Sequence, residues 1–298
     1  MEPAAPAPGP ALSSSARLVP SADTYGNELA ADDVPRTARP WLIPLTSAAV
    51  GVALADIAEN MVVVDSTDPA SPLTEESLKR TQRIAEATED EPLDVIVMID
   101  NVPLDLSSLR RTFPNQRLVD EVINGYVNVL RRRQAERRSS DPDASRLRFF
   151  DTFFYSRMHV QGRYDYNLVA WWCGWLNLLT FKLIFVPINV ANSHWVLAVM
   201  HPRTGVVNIY DSLNNGNEAL VPSLCKWAED HARDVGVRPV AWRYEPVTSR
   251  PQENSDDCGV LIVTAMAYLA RDFPLSTRTA RMHHYRRRVC ASLLAVQR

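Results

Sequence analysis

The rhythm of hydrophobic and polar positions changes several times along the chain. Residues 1–40 are rich in Ala, Pro and Ser with few large apolar side chains, the pattern of a disordered tail. Residues 41–64 turn apolar and predict a strand or short helix that docks on the main body. Thr74 followed by Glu75, Glu76, Lys79, Arg80 and Arg83 predicts a capped helix over 75–89, which Glu89-Asp90-Glu91-Pro92 breaks. The β-branched run at 94–99 reads as a strand. Over 120–133, Val122, Tyr126 and Leu130 recur at helical spacing, with Asp120 first and arginines last, which suits the helix dipole. A loop at 139–145 leads to an aromatic element at 149–158. Residues 166–181 carry Trp171, Trp172 and Trp175; helical spacing would put Trp172, Trp175, Leu176 and Leu179 on one face. Three apolar runs follow, at 183–189, 194–200 and 206–210, the last two joined by a turn at Pro202-Arg203-Thr204-Gly205. A helix at 219–235, a strand at 240–244, an apolar helix at 258–270 and a basic helix at 278–294 complete a mixed α/β body. We place a domain boundary at the acidic break, giving an acidic segment 1–92 and a main domain 93–298.

Composition changes that picture little. The 298 residues are 46% hydrophobic and 22% charged, which suits a globular protein with a sizeable core. The formal net charge of −3 hides a split: residues 1–92 hold 15 acidic and 6 basic side chains, and the remainder 20 and 26. Arg131–Arg133 and Arg286–Arg288 form basic runs without interleaved aromatics; read as solvated helix faces, they do not make a nucleic-acid site. The uncharged stretches at 41–55 and 167–181 fall short of the roughly 20 apolar residues that span a bilayer, and residues 1–40 lack a signal-peptide core. Cys173, Cys225, Cys258 and Cys290 have neither zinc-site spacing nor the density of a disulfide framework. These features predict a soluble protein of a reducing, intracellular compartment, without a metal or other cofactor.

Cys258 is the first candidate for chemistry. It opens the apolar helix behind Ser255-Asp256-Asp257, where unpaired backbone N–H groups favour a thiolate, and Gly259 would let a substrate carbonyl approach the backbone. A small buried hydrophobe is the ordinary alternative for a cysteine. A nucleophile of this kind needs a base, and the base an orienting group. Of six histidines, His194 alone begins an apolar strand, after Asn192-Ser193 and before Trp195. If the strands at 194–200 and 206–210 form a hairpin, Asp211 lies beside His194; taken singly, each is as readily a core or turn residue.

Taken together, the run from Phe185 to Leu213 (FVPINVANSHWVLAVMHPRTGVVNIYDSL) and that from Pro251 to Val260 (PQENSDDCGV) resemble the SUMO/sentrin-specific cysteine peptidases, the ubiquitin-like-protein proteases. The 17-residue gap from His194 to Asp211 and the 6-residue gap from Gln252 to Cys258 match that family. So does the helix start RLVDEVINGYVNVL, from Arg117 to Leu130. The resemblance implies a papain-like α+β cysteine protease in the permuted order His, Asp, Gln, Cys. It implies His194 as base, Asp211 as its orienter, Cys258 as nucleophile and Gln252 as an oxyanion donor, with SUMO or a related modifier as partner. Trp195 would line the channel for a Gly-Gly tail, and Asp120 would meet a basic residue of the modifier. Arg117 stands where the family places a tryptophan over that tail, and Val119 replaces the motif's asparagine. A same-fold effector-type acetyltransferase is the alternative; that class usually carries Glu where Asp211 stands.

Overall fold

The computed structural model describes residues 72–87, 95–247, 249, 251–275 and 281–295. The predicted tail at 1–40, the apolar stretch at 41–64 and the acidic break lie outside them. In chain order the elements are α1 (Glu75–Glu86), β1 (Val95–Ile99), β2 (Val102–Asp105), α2 (Leu106–Arg110), α3 (Asp120–Ser140), β3 (Leu147–Phe149) and α4 (Phe153–Arg157). There follow β4 (His159–Val160), β5 (Arg163–Tyr164), α5 (Ala170–Cys173), β6 (Leu183–Val190), β7 (His194–His201) and β8 (Val206–Tyr210). The last four are α6 (Val221–Asp234), β9 (Arg243–Tyr244), α7 (Cys258–Leu269) and α8 (Met282–Leu294).

A five-stranded sheet in the order β3-β6-β7-β8-β9 forms the centre. β6, β7 and β8 pair antiparallel, while β3 and β9 run parallel to their neighbours at the two edges. The central strands are continuous apolar runs because both faces of the sheet are covered. Phe185, Trp195, Leu197 and Val199 face a core shared with α3, α7 and α8. Ile184, Val186, Val196, Ala198, Met200 and Ile209 face a second core built on Phe150, Phe154 and Trp227 of α6. Gly205 closes the turn between β7 and β8 at φ +67°, and a Cβ there would lie 2.1 Å from the Ala241 carbonyl oxygen. Only glycine fits both the left-handed backbone and that approach.

α7 is buried all round: ten of its twelve residues are covered. α1 starts as predicted, its Thr74 hydroxyl accepting from the Ser77 N–H at 3.2 Å. Ile84 of α1 is buried in the α3–α7–α8 core, and Arg80 donates to the Leu294 carbonyl at 2.8 Å. The packed body therefore includes a helix that precedes residue 92.

Several expectations need correction. α3 continues seven residues past the expected end at Arg133, because its arginines and Gln134 find partners as it runs along the body. Gln134 donates to the Ser145 carbonyl at 2.7 Å and Arg138 to that of Ala144 at 2.6 Å. The basic runs are not simply solvated faces: Arg131 donates to the Phe149 carbonyl, Arg133 to Ser292, and Arg286 is 2% exposed. No helical face unites the tryptophans, since Gly174 at φ +51° ends α5 after a single turn. Trp172 is buried and donates to Asp151, whereas Trp175 is 84% exposed.

Candidate active site

β7 begins with His194, β8 ends one residue before Asp211, and α7 begins with Cys258. The β7–β8 pairing sets Leu197 opposite Tyr210, which carries Asp211 back towards the start of β7. His194 Nε2 and Asp211 Oδ1 lie 2.6 Å apart, both side chains buried. With Nε2 so engaged, Nδ1 is the ring nitrogen left to face the Cys258 thiol, whose influence raises the imidazole.

The carboxylate is held from every side. Asp211 Oδ1 accepts from the Leu213 N–H at 2.9 Å; Oδ2 accepts from the Asn215 N–H at 2.8 Å and from Asn217 Nδ2 at 2.7 Å. Asn214 at φ +51° and Gly216 at φ +64° bend the chain around it. Burial pushes Asp211 up, but His194 and these three donors outweigh it and hold the carboxyl below its usual range. At His194, burial disfavours the charged ring, yet the Cys258 thiol and Asp211 raise it above an ordinary histidine.

Cys258 follows the same balance. Burial would raise the thiol, but the His194 ring and the backbone N–H groups of Trp195 and Gly259 lower it. Burial instead pushes Cys225 and Cys290 up to about 11. No disulfide joins the four cysteines, and at Cys258 the stabilising groups outweigh burial and hold the thiol below its ordinary range.

Gln252 is fixed by its neighbours. Its N–H donates to the Ser212 carbonyl at 2.9 Å, the Ser212 hydroxyl donates to Oε1 at 2.7 Å, and Nε2 donates to the Asn254 carbonyl at 2.5 Å. The Ser212 donor identifies the carbonyl end of the amide, so Nε2 retains a second N–H. Asn254 in turn accepts from the N–H groups of Asp256 and Asp257 at 2.9 and 3.1 Å, shaping the loop into α7. Ser212, Asn217 and Asn254 were not singled out from sequence; Ser212 and Asn254 lie inside the quoted motifs, beside their more reactive neighbours.

The expected substrate contacts lie around this centre. Trp195 is 3% exposed, its Nε1–H donating to the Leu118 carbonyl at 2.9 Å. It is buried in the core shared with α3, α7 and α8 and serves first as packing. Gly259 needs no substrate carbonyl to explain it: a Cβ there would meet Leu118 Cβ at 2.8 Å and Trp195 Cδ1 at 3.2 Å. Arg117, with a side chain 48% exposed, donates from Nη1 to the Ser193 carbonyl at 3.2 Å and from Nε to that of Ser255 at 3.0 Å. It thus spans the loop before His194 and the loop before Cys258. Asp120 is half-buried at the first position of α3. Among the described residues no cluster of His, Cys, Asp and Glu could hold a metal ion, and no helix is long and apolar enough to cross a membrane.

A buried cysteine at a helix N-terminus, an imidazole beside it and a carboxylate behind, arranged on an α+β body, form a site that cysteine peptidases use. The comparisons then fix the family. The family model of the Ulp1 protease family, C-terminal catalytic domain, matches residues 116–295, and the chain belongs to that family. It is 27% identical over 241 residues to the putative ubiquitin-like-specific protease 1B of Arabidopsis thaliana, covering 77% of this chain and 69% of that protein. It is 28% identical over 242 residues to sentrin-specific protease 2 of Mus musculus, covering 75% of this chain and 40% of that protein, so it spans less than half of the latter. Among solved structures, the C-terminal Ulp1 protease domain in complex with Smt3, the yeast orthologue of SUMO, shares the fold. Its TM-score is 0.61 at 21% identity, covering 74% of this chain and 95% of that one.

Proposed function

We propose that this protein is a thiol isopeptidase and peptidase that cleaves after the C-terminal Gly-Gly of SUMO or a related ubiquitin-like modifier, with His194, Asp211, Gln252 and Cys258 as its catalytic residues. The observation that carries the reading is the His194 ring held between the Asp211 carboxylate and the Cys258 thiol. His194 takes the thiol proton through Nδ1, and Asp211 orients the ring and stabilises the imidazolium. The thiolate attacks the glycine carbonyl. The Cys258 backbone N–H and the remaining N–H of Gln252 donate to the oxyanion of the tetrahedral intermediate. His194 then returns the proton to the leaving amine, and a water molecule releases the modifier from the acyl-enzyme.

The family match to proteases disfavours the acetyltransferase alternative. The named substrate of the Smt3 complex, and the ubiquitin-like-specific and sentrin-specific names of the relatives, support the substrate class. Arg117, Asp120 and Trp195 lie along the path we assign to the modifier and its tail. The acidic residues 1–92 suit a targeting or regulatory role, and the free cysteines suit the reducing interior of the cell, nucleus or cytoplasm. The test is incubation with a panel of ubiquitin-like modifiers bearing C-terminal electrophiles. Covalent capture of SUMO at Cys258, lost in Cys258→Ser, is expected; capture of none of the panel would overturn the reading.

A further inference from the structure

Asp257 occupies the N-cap position of α7, next to Cys258, yet its side chain does not cap the helix. Its carbonyl starts the helix by accepting from the Leu261 N–H at 2.9 Å, while its carboxylate turns away. Oδ1 accepts from Arg286 Nε at 2.8 Å and lies 2.6 Å from Nη2 as an ion pair, and Oδ2 accepts from Asn254 Nδ2 at 2.8 Å. Arg286 also donates from Nη2 to the Asp256 carbonyl at 3.0 Å and from Nη1 to the Phe113 carbonyl at 2.8 Å. Arg286 is 2% exposed and Asp257 4%, so this is a buried, fully bonded fork that ties α8 to the first residue pair before the cysteine.

An aspartate at this position accepts from the second or third N–H of its helix when its own backbone is extended; Asp257 instead holds φ −88° and ψ −6°, a turn that the Arg286 bonds to its carboxylate and to the Asp256 carbonyl brace. Such a cap here would place a carboxylate against the very N–H groups that favour the thiolate, and like charge disfavours ionisation. We propose that Arg286 is a positioning residue for catalysis: by holding the Asp257 carboxylate off the first turn of α7, it leaves the helix N-terminus free for the Cys258 thiolate and the oxyanion. The inference rests on Cys258 being the nucleophile. Other charged groups stand near the helix start as well: His194 from β7 with Asp211 behind it, and Asp256 of the preceding loop, paired at 3.6 Å with Arg117 from the segment before α3. The quantity to follow is therefore the apparent midpoint of the coupled Cys258–His194 pair.

That midpoint is read from the pH dependence of Cys258 alkylation by iodoacetamide in the full-length protein, with Cys258→Ser as the blank. Alkylation reports the thiol itself, so it remains informative even if no modifier is cleaved. In Arg286→Met the carboxylate loses its partner, and the midpoint should rise by about one pH unit, a roughly tenfold slower reaction on the acid side. Asp257→Asn in the same chain should return the midpoint towards the parent value. Because Arg286→Met removes one partner of a buried ion pair and endangers folding, Asp257→Asn alone is the second arm. It leaves the guanidinium beside the helix start without its counter-charge, and the midpoint should fall. A merely structural Arg286 would lower thermal stability in Arg286→Met and leave the midpoint where it was. An unchanged or raised midpoint in Asp257→Asn, or no recovery in the double variant, overturns the proposal.

Discussion

Gly259→Ala tests how tightly the catalytic cysteine is framed. The added Cβ would meet Leu118 Cβ at 2.8 Å, Leu118 Cγ at 3.1 Å and Trp195 Cδ1 at 3.2 Å. Carbon atoms are at ease near 3.5–4.0 Å, so Leu118 must retreat by roughly 0.7 Å or more. It cannot do so by changing rotamer, because the closest atom is its own Cβ, fixed to a backbone whose carbonyl accepts from the Trp195 indole at 2.9 Å. Overpacking of this kind costs about 1–3 kcal/mol, against which the helical preference of alanine over glycine returns up to about 1 kcal/mol. The net loss should be about 0–2 kcal/mol, measurable as a lower urea midpoint at unchanged slope. The rate should suffer more than the stability. Trp195 supplies a backbone N–H to the Cys258 sulfur, and displacing a reacting centre by about 1 Å costs on the order of 10²-fold. The assay is kcat/KM on a modifier with a fluorogenic C-terminal amide, beside urea unfolding. Adding Leu118→Gly to Gly259→Ala, which removes that Cβ, should recover part of the lost rate. Parental stability and parental rate in Gly259→Ala alone would refute the packing argument.

Gln252→Ala should lower kcat by about 10²–10³ with little change in KM, and a change confined to KM would move Gln252 from the oxyanion to substrate binding. Because Cys258 is lowered and His194 raised, the thiolate–imidazolium pair should persist below the pH at which a free thiol loses reactivity. Asp211→Asn removes one of the two partners that raise His194, so its activity should fall and the alkaline limb of its pH–rate profile should shift to lower pH; an unshifted limb would separate Asp211 from the imidazole. Arg117→Trp should raise kcat/KM on a SUMO substrate if arginine is the poorer cover for the tail, whereas a lower rate would show that Arg117 meets an acidic feature of another modifier. Trp195→Ala should nearly abolish activity in either case. A 93–298 fragment should melt lower than a 72–298 fragment because Ile84 and the Arg80 bond to Leu294 are lost; equal melting would mean that α1 contributes nothing to the body.

What could be read from the chain alone was whatever neighbouring residues settle among themselves. The apolar runs at 183–189 and 194–200 read as strands, and the short turn at Gly205 made a hairpin with the run at 206–210 the expected return. Such a hairpin brings Asp211 back beside His194, and the two side chains meet at 2.6 Å. The spacing of Gln252 and Cys258 was equally local, one loop running into one helix. The fate of Arg286 was not. A run of arginines on a helix looks the same whether water or protein surrounds it, and burial became favourable only because Asp257, Asp256 and Phe113, from two distant segments, offered acceptors in the plane of its fork. Gly259 likewise looked like a concession to substrate, and the side chain that requires it, Leu118, lies 141 positions away in sequence. The tryptophans at 171–175 show the limit from the other side: a helical period on paper ended where Gly174 took a backbone conformation that no continuing helix allows. Local sequence sets the preferences of each element and the order of the reactive residues. The partners that make a buried charge or a glycine necessary are brought together only when the sheet and helices close around them.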